Sequence, residues 1–113
     1  MNLKKKLLEK LNELCQSTSY LLRNTVLVYI KLFIEKLDNK LYLDFFEKKL
    51  AGIVLMLSKD KIANVRISCG YVWNKIKDVK FKDSRINNEI NNIVEILKKD
   101  TDSDVVKSIN GIL

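Results

Sequence analysis

The stretch "DKIANVR" (residues 60–66) decides the fold class of this chain. It separates two runs of apolar residues that have helical spacing, and it places an acidic residue at the break and Val-Arg in the helix that follows. Comparable breaks begin at Ser17 ("STSYLLR"), 43 residues before Asp60, and at Asp100 ("DTDSDVV"), 40 residues after it. A small capping residue followed five positions later by Leu or Val therefore recurs with a period of about 40 residues.

Helical periodicity fills the intervals between the three breaks. The apolar spacing predicts six helices, at about residues 3–15, 20–37, 41–57, 65–79, 84–97 and 105–113, with Asp83 or Ser84 capping the fifth. The chain has no proline and three glycines, which favours helix over sheet. The second helix is apolar almost all round, so we expect its partner helix and the next repeat to cover it on more than one side.

Two helices per period of about 40 residues is the spacing of HEAT or armadillo arrays. The predicted fold class is therefore all-α: an α-solenoid (α-α superhelix) of about three HEAT-like helical hairpins in a single domain, residues 1–113. The repeats would be residues 2–38, 40–79 and 84–113. The alternative is a three-hairpin bundle whose hairpins are alike by chance.

The acidic and basic residues at the breaks have a predicted structural role. Asp60 can accept backbone N–H groups at the start of the following helix, and Arg66 can reach the equivalent break of the neighbouring repeat. With Arg23 and Asp100 at corresponding positions, a polar contact would recur along one edge and fix repeat against repeat. The alternative is that Arg66 is a solvated charge.

Composition excludes several classes of active site. Histidine is absent, which excludes His-dependent triads, His general bases and His metal ligands. Cys15 and Cys69 match no zinc spacing and are predicted to be buried, reduced thiols. No carboxylate pair stands beside a cysteine, a Gly-rich loop or a ligand-spaced cluster. We therefore expect a protein that is not an enzyme, with no catalytic residue, cofactor, metal site or small-molecule substrate.

Charge within the apolar segments argues against a membrane protein. Glu9 and Glu13 interrupt any signal-peptide core, and Arg23 and Lys31 break the most apolar run short of a transmembrane span. The expected location is the cytoplasm, with the nucleus possible. Residues 2–15 could also form an interfacial membrane helix, although their polar face mixes Glu with Lys.

A known family shares these motifs. "MLSKDKIANVRISCGYVWNKI" (residues 56–76) resembles a HEAT repeat, and specifically one of the last repeats of the scaffold (A, structural) subunit of protein phosphatase 2A. The segments before and after it resemble the preceding and final repeats, so the resemblance spans nearly the whole chain in order. The matching residues are Tyr20, Leu21, Arg23, Thr25 and Leu27; Asp60, Ala63, Asn64, Val65 and Arg66; and Ile96, Leu97, Asp102, Asp104 and Val105.

The chain also departs from that family. Lys61 and Gly52 stand where the family has proline, Trp73 replaces an aliphatic residue, and Val106 replaces the basic residue of the third repeat. The family's scaffold is a long superhelix that binds regulatory subunits through its N-terminal repeats. This chain corresponds to the last few repeats, so the resemblance does not extend to that binding.

The resemblance implies a non-catalytic scaffold or adaptor that binds a protein partner through its intra-repeat loops. That partner would be the catalytic subunit of a serine/threonine phosphatase of the 2A type. Tyr20 and Ile62 would be anchors, unless Ile62 instead packs back onto its own repeat. The partner-binding residues implied are Ser19, Tyr20, Lys61, Ile62, Asn64, Thr101, Asp102 and Ser103.

Net charge supports an alternative function. The formal charge is +7 and the pI is about 9.4, which leaves nucleic acid, a ribosome or an acidic protein as partners. A basic HEAT module bound to RNA or a ribosome would use the lysines that occur in short runs. They are interleaved with Glu and Asp, which favours a solvated face. The runs are Lys4–Lys5–Lys6, Lys48–Lys49 and Lys98–Lys99.

Overall fold

A computed structural model describes residues 2–112, with side chains from residue 5 onward. The fold is all-α: the chain is 74% helical, and no strand forms within residues 2–112. Six helices follow one another in that range. They are α1 (Asn2–Leu14), α2 (20–36), α3 (40–57), α4 (Ala63–Lys75), α5 (Ser84–Lys98) and α6 (Ser103–Ile109), where α2 ends in a 3₁₀ turn (Ile34–Lys36) and α3 contains a π-helical segment (Phe46–Leu50).

Short polar side chains fix several helix starts. Asp83, one of the two predicted caps, is the N-cap of α5, since its carboxylate accepts the Arg85 N–H at 2.9 Å, and Ser84 is the first helical residue. Asp102 caps α6 in the same way and accepts the Asp104 N–H at 2.8 Å. Asn39 caps α3 through the Leu41 N–H at 2.9 Å.

The predicted limits of α4 were wrong at both ends. The helix begins at Ala63 rather than Val65 and ends at Lys75 rather than Val79. A contact between residues six positions apart holds the chain that follows: the Asn87 side chain accepts the Phe81 N–H at 3.0 Å and donates to the Phe81 carbonyl at 2.8 Å. This pair anchors the connection to the first turn of α5.

The helices pack in chain order. Each even-numbered helix closes a hairpin with the helix before it, and α2 packs on α4 as α4 packs on α6. On the other side α3 packs against α5. One core runs through the hairpins, so each hairpin buries its apolar face against the next. Fully buried side chains include Leu27, Ile30, Phe46, Leu57, Trp73 and Leu97.

A buried polar chain joins α3 to α4. The Trp73 indole N–H donates to the Ser58 hydroxyl at 2.8 Å, and that hydroxyl donates to the Val54 carbonyl at 2.7 Å. The thiols of Cys15 and Cys69 are buried and form no disulfide, as predicted. Burial raises the pKa of Cys69 to about 12, so this thiol stays protonated at neutral pH.

The expectation that α2 is covered on more than one side is met only in part. Val26, Leu27 and Ile30 are fully buried. Leu21, Val28 and Leu32, on another side of the same helix, are more than half exposed. A helix with that pattern buries one part of its apolar surface and leaves another open.

Candidate protein-interaction surface

Three loops precede the even-numbered helices: residues 15–19, 58–62 and 99–102. Each contains the same turn, in which a side-chain oxygen accepts the backbone N–H two residues later. Ser17 accepts from Ser19 at 3.1 Å, Asp60 from Ile62 at 2.9 Å and Asp100 from Asp102 at 2.9 Å. Asp60 therefore accepts the N–H of Ile62, which occupies the N-cap position of α4, and is not itself the N-cap residue.

Arg23 joins the first loop to the second. Its Nε and Nη2 donate to the two carboxylate oxygens of Asp60 at 2.7 and 3.0 Å, and its Nη1 donates to the Ser17 carbonyl at 2.9 Å. The two side chains are 11% and 8% exposed, so this bidentate pair is largely shielded from water.

Arg66 joins the second loop to the third with the same pattern. Its Nε and Nη2 donate to Asp100 at 2.9 and 3.2 Å, and its Nη1 donates to the Asp60 carbonyl at 2.8 Å. We call the two pairs, Arg23–Asp60 and Arg66–Asp100, the Arg–Asp ladder. The structure therefore places all four predicted inter-repeat residues in one connected row, with Asp60 taking part in both rungs.

The ladder keeps its carboxylates ionised. Burial by itself would raise the pKa of Asp60, but hydrogen bonds from Arg23 and from the Ile62 N–H, with the charges of Arg23 and Arg66, lower it overall. For Asp100, burial also acts upward, and the bonds from Arg66 and the Asp102 N–H prevail and lower the pKa. The hydrogen bond to Asp60 raises the pKa of Arg23 above its ordinary value, so this rung is a pair of ions.

The predicted partner-binding residues occupy the three loops and the first turns after them. Ile62 is half-buried and packs against the core, the alternative considered for it from the sequence. Asp102 uses its carboxylate to cap α6, and Ser19 occupies the N-cap position of α2. The side chains that project into solvent are Tyr20, Lys61, Asn64, Thr101 and Ser103.

An apolar groove was missed from the sequence. It has a volume of about 240 Å³ and lies between α1, α2 and the start of α3. The signal that could have indicated it is the missing polar face of α2, which needs a cover that α1 and α4 do not fully provide. Its lining is Leu7, Leu8, Leu11, Tyr29, Leu32, Phe33, Lys36, Leu41, Tyr42 and Phe45.

In the part of the chain that the structure describes, no three Cys, Asp or Glu side chains gather where they could hold a metal ion. No helix in residues 2–112 has the length and hydrophobicity needed to cross a bilayer. Lys10 and Lys98 pair with Glu13 and Glu95 at 3.4 Å on the exposed sides of α1 and α5.

Comparisons of the chain with protein-family models, with curated proteins and with solved structures give no match. A function for this chain therefore has to be inferred from the loops, the Arg–Asp ladder and the packing of its helices.

Proposed function

We propose that this chain is a non-catalytic scaffold, an α-solenoid of three HEAT-like hairpins that binds a protein partner along its row of intra-repeat loops. The observation that carries the proposal is the Arg–Asp ladder. Two bidentate pairs at equivalent positions tie loop to loop, so the exposed side chains of the three loops keep fixed relative positions. A surface ordered before binding loses less conformational entropy when the partner docks.

The stacking of α2, α4 and α6 supports the same proposal. Each of these helices carries one loop at its N-terminus, so their sequential packing sets the three loops side by side. Tyr20 is the aromatic side chain of this row, and it is 38% exposed. Partly exposed aromatic residues in an ordered polar surface are frequent binding anchors.

The resemblance to the phosphatase 2A scaffold suggests which partner to test. In that family the C-terminal repeats hold the phosphatase catalytic subunit through the equivalent loops. We propose a catalytic subunit of this type as the partner, with Tyr20, Lys61 and Thr101 contributing one contact from each loop. The location of such a complex would be the cytoplasm or the nucleus.

A binding measurement tests this proposal. The purified catalytic subunit of a 2A-type serine/threonine phosphatase is immobilised, and the dissociation constant is measured by biolayer interferometry. We expect the wild-type chain to bind, and Tyr20→Ala to raise the dissociation constant about tenfold or more, since it removes the aromatic anchor of the row. Thr101→Ala, in the third loop, should weaken binding less.

Lys48→Ala provides the matched control, because Lys48 is exposed on α3, outside the three loops. It should leave the dissociation constant unchanged, and circular dichroism should show that all the variants keep their helices. The proposal is overturned by a wild-type chain that does not bind, or by Tyr20→Ala binding as tightly as wild type. Retention on RNA that falls steeply with added salt would instead favour the RNA-binding alternative.

A further inference from the structure

Comparison of equivalent residues in successive hairpins identifies one side of α2 that has no neighbouring helix in this structure. Tyr71 and Lys75 of α4 face α2, since Lys31 Nζ lies 5.3 Å from the Tyr71 ring centre and Lys75 pairs with Glu35 at 3.5 Å. Counting back the 43 residues that separate the first two breaks gives Val28 and Leu32. These two residues of α2 therefore take the place that Tyr71 and Lys75 take on α4.

The next pair of helices gives the same register. Ser108 of α6 packs against Gly70 of α4, and one repeat earlier the residue equivalent to Ser108 is Ser68, which is buried. The corresponding residue on α2 is Thr25, which is exposed. We define the outer α2 stripe as Leu21, Thr25, Val28 and Leu32, four residues spaced to lie on one side of the helix.

The outer α2 stripe is apolar although no helix of this structure covers it. Leu21, Val28 and Leu32 are 64%, 53% and 67% exposed. Leu32 also lines the apolar groove together with Leu7 and Leu41, which are 38% and 72% exposed. Stripe and groove therefore form one continuous apolar surface on the first hairpin and the start of α3.

The exposed apolar area is sufficient for the core of a dimer interface. The exposed fractions of the five apolar side chains, three in the stripe and two beside the groove, add up to almost three whole side chains. At roughly 150 Å² for each large apolar side chain, they expose on the order of 450 Å². A specific interface buries about 600–1,000 Å² on each partner, and the polar rim around its apolar core supplies the remainder, so a second copy has to cover the groove as well as the stripe.

We propose that a second copy of this chain covers the outer α2 stripe and the adjoining groove, with the two α2 helices antiparallel across a two-fold axis. The stripe residues follow each other at intervals of four, three and four, which reads the same in both directions. In an antiparallel pair Leu21 faces Leu32 of the other copy, and Thr25 faces Val28. Each pair of contacts thus occurs twice, once on either side of the axis, as a two-fold interface requires.

Charge also selects the antiparallel arrangement. The four stripe residues are uncharged, and the nearest charged side chain that lines the groove is Lys36. In an antiparallel pair the two copies of Lys36 lie about 28 Å apart along the helix axis, well beyond the screening length of about 8 Å in physiological salt. A parallel pair would bring these two charges together.

Analytical ultracentrifugation of the full chain, from about 1 to about 100 µM, tests the dimer. The wild-type chain should show a reversible monomer–dimer equilibrium. Val28→Glu should raise the dimer dissociation constant about 100-fold or more, because each dimer would bury two unpaired carboxylates. Ile96→Glu is the matched control: Ile96 is 59% exposed on α5, so this variant should dimerise like wild type.

Cysteine variants test the two-fold arrangement itself. Under mild oxidation Val28→Cys should form a disulfide-linked dimer, since its two copies are offset by only about 4–5 Å along the axis. Leu21→Cys should not, since its copies lie about 16 Å apart. The native thiols are buried and stay out of the reaction. A wild-type monomer at every concentration, a dimer that survives Val28→Glu, or equal cross-linking of the two cysteine variants would overturn the proposal.

Discussion

At the scale of single residues, Gly70 determines how closely α4 and α6 approach. A Cβ atom at this position would lie 1.9 Å from the Ser108 hydroxyl oxygen and 3.1 Å from the Ile109 nitrogen. The second of these is a backbone atom, which cannot rotate away as a side chain can. Glycine is therefore required at this position because no side chain fits there. Its backbone angles are ordinary helical ones that any residue could adopt.

We expect Gly70→Ala to lower the free energy of unfolding by about 2 kcal/mol, because α6 must shift outward to admit the methyl group. Gly52→Ala is the matched control: a Cβ atom at Gly52 would have no neighbour within 4 Å, and the residue is exposed in α3. Alanine there should raise the free energy of unfolding by about 0.5–1 kcal/mol through helix propensity. Urea denaturation followed by circular dichroism measures both, and equal effects of the two substitutions would show that Gly70 has no packing role.

At the scale of the structural elements, spacing in the sequence was enough to find the ladder residues. Arg23, Asp60, Arg66 and Asp100 stand at matching places in successive breaks, and a repeated hairpin brings matching places together in space. Each arginine pairs with the aspartate of the next break, so counting residues from one break to the next identifies both pairs. The same counting finds the three loops, because each loop belongs to one period.

Features that depend on neighbours distant in sequence could not be read in this way. The apolar pattern continues to Val79, past the true end of α4 at Lys75, and a contact distant in sequence holds the chain beyond that end, since the Asp83 N–H donates to the Glu47 carboxylate of α3 at 2.7 Å. The groove was hidden for a related reason. The pattern marks Leu32 and Leu41 as apolar, but their exposure depends on which helices lie beside them.

The ladder makes a testable contribution to stability that depends on pH. Asp100→Asn should lower the free energy of unfolding at pH 7 by about 2 kcal/mol, because it weakens two charge-assisted hydrogen bonds from Arg66. In the wild-type chain the pKa of Asp100 is lowered on folding from its ordinary 3.8. This stabilisation is therefore fully present above that value and is lost as the pH falls through the lowered pKa.

The loss of stability at acid pH separates the contribution of the Arg66–Asp100 pair from a general effect of charge. Thermal unfolding between about pH 7 and pH 2 should show a smaller loss for Asp100→Asn than for wild type, since the variant has one fewer carboxylate to protonate. Asp104→Asn removes an exposed acidic residue nearby and should change stability by less than about 0.5 kcal/mol. Identical losses of stability at acid pH for wild type and Asp100→Asn would contradict the role given to the second rung.

At the scale of the whole molecule, the ladder and the shared core join three hairpins into one unit. Stability in such an array comes from each hairpin and from its contact with the next. The link between the first and second hairpins consists of the packing of α2 on α4 and the Arg23–Asp60 rung. Weakening this link should separate the unfolding of the first hairpin from that of the rest.

Trp73 is the one tryptophan of the chain, and it is buried in the second hairpin, so its fluorescence reports that hairpin while circular dichroism reports all the helices. In wild type we expect the two urea transitions to coincide, as for a single cooperative unit. In Arg23→Met the loss of circular dichroism should begin at lower urea than the change in Trp73 fluorescence, because α1 and α2 lose their polar tie to the second loop. Arg85→Met is the control, since Arg85 lies 86% exposed at the start of α5 and should leave the transitions superimposed. Coincident transitions in Arg23→Met would mean that packing of α2 on α4 holds the first hairpin without the ladder.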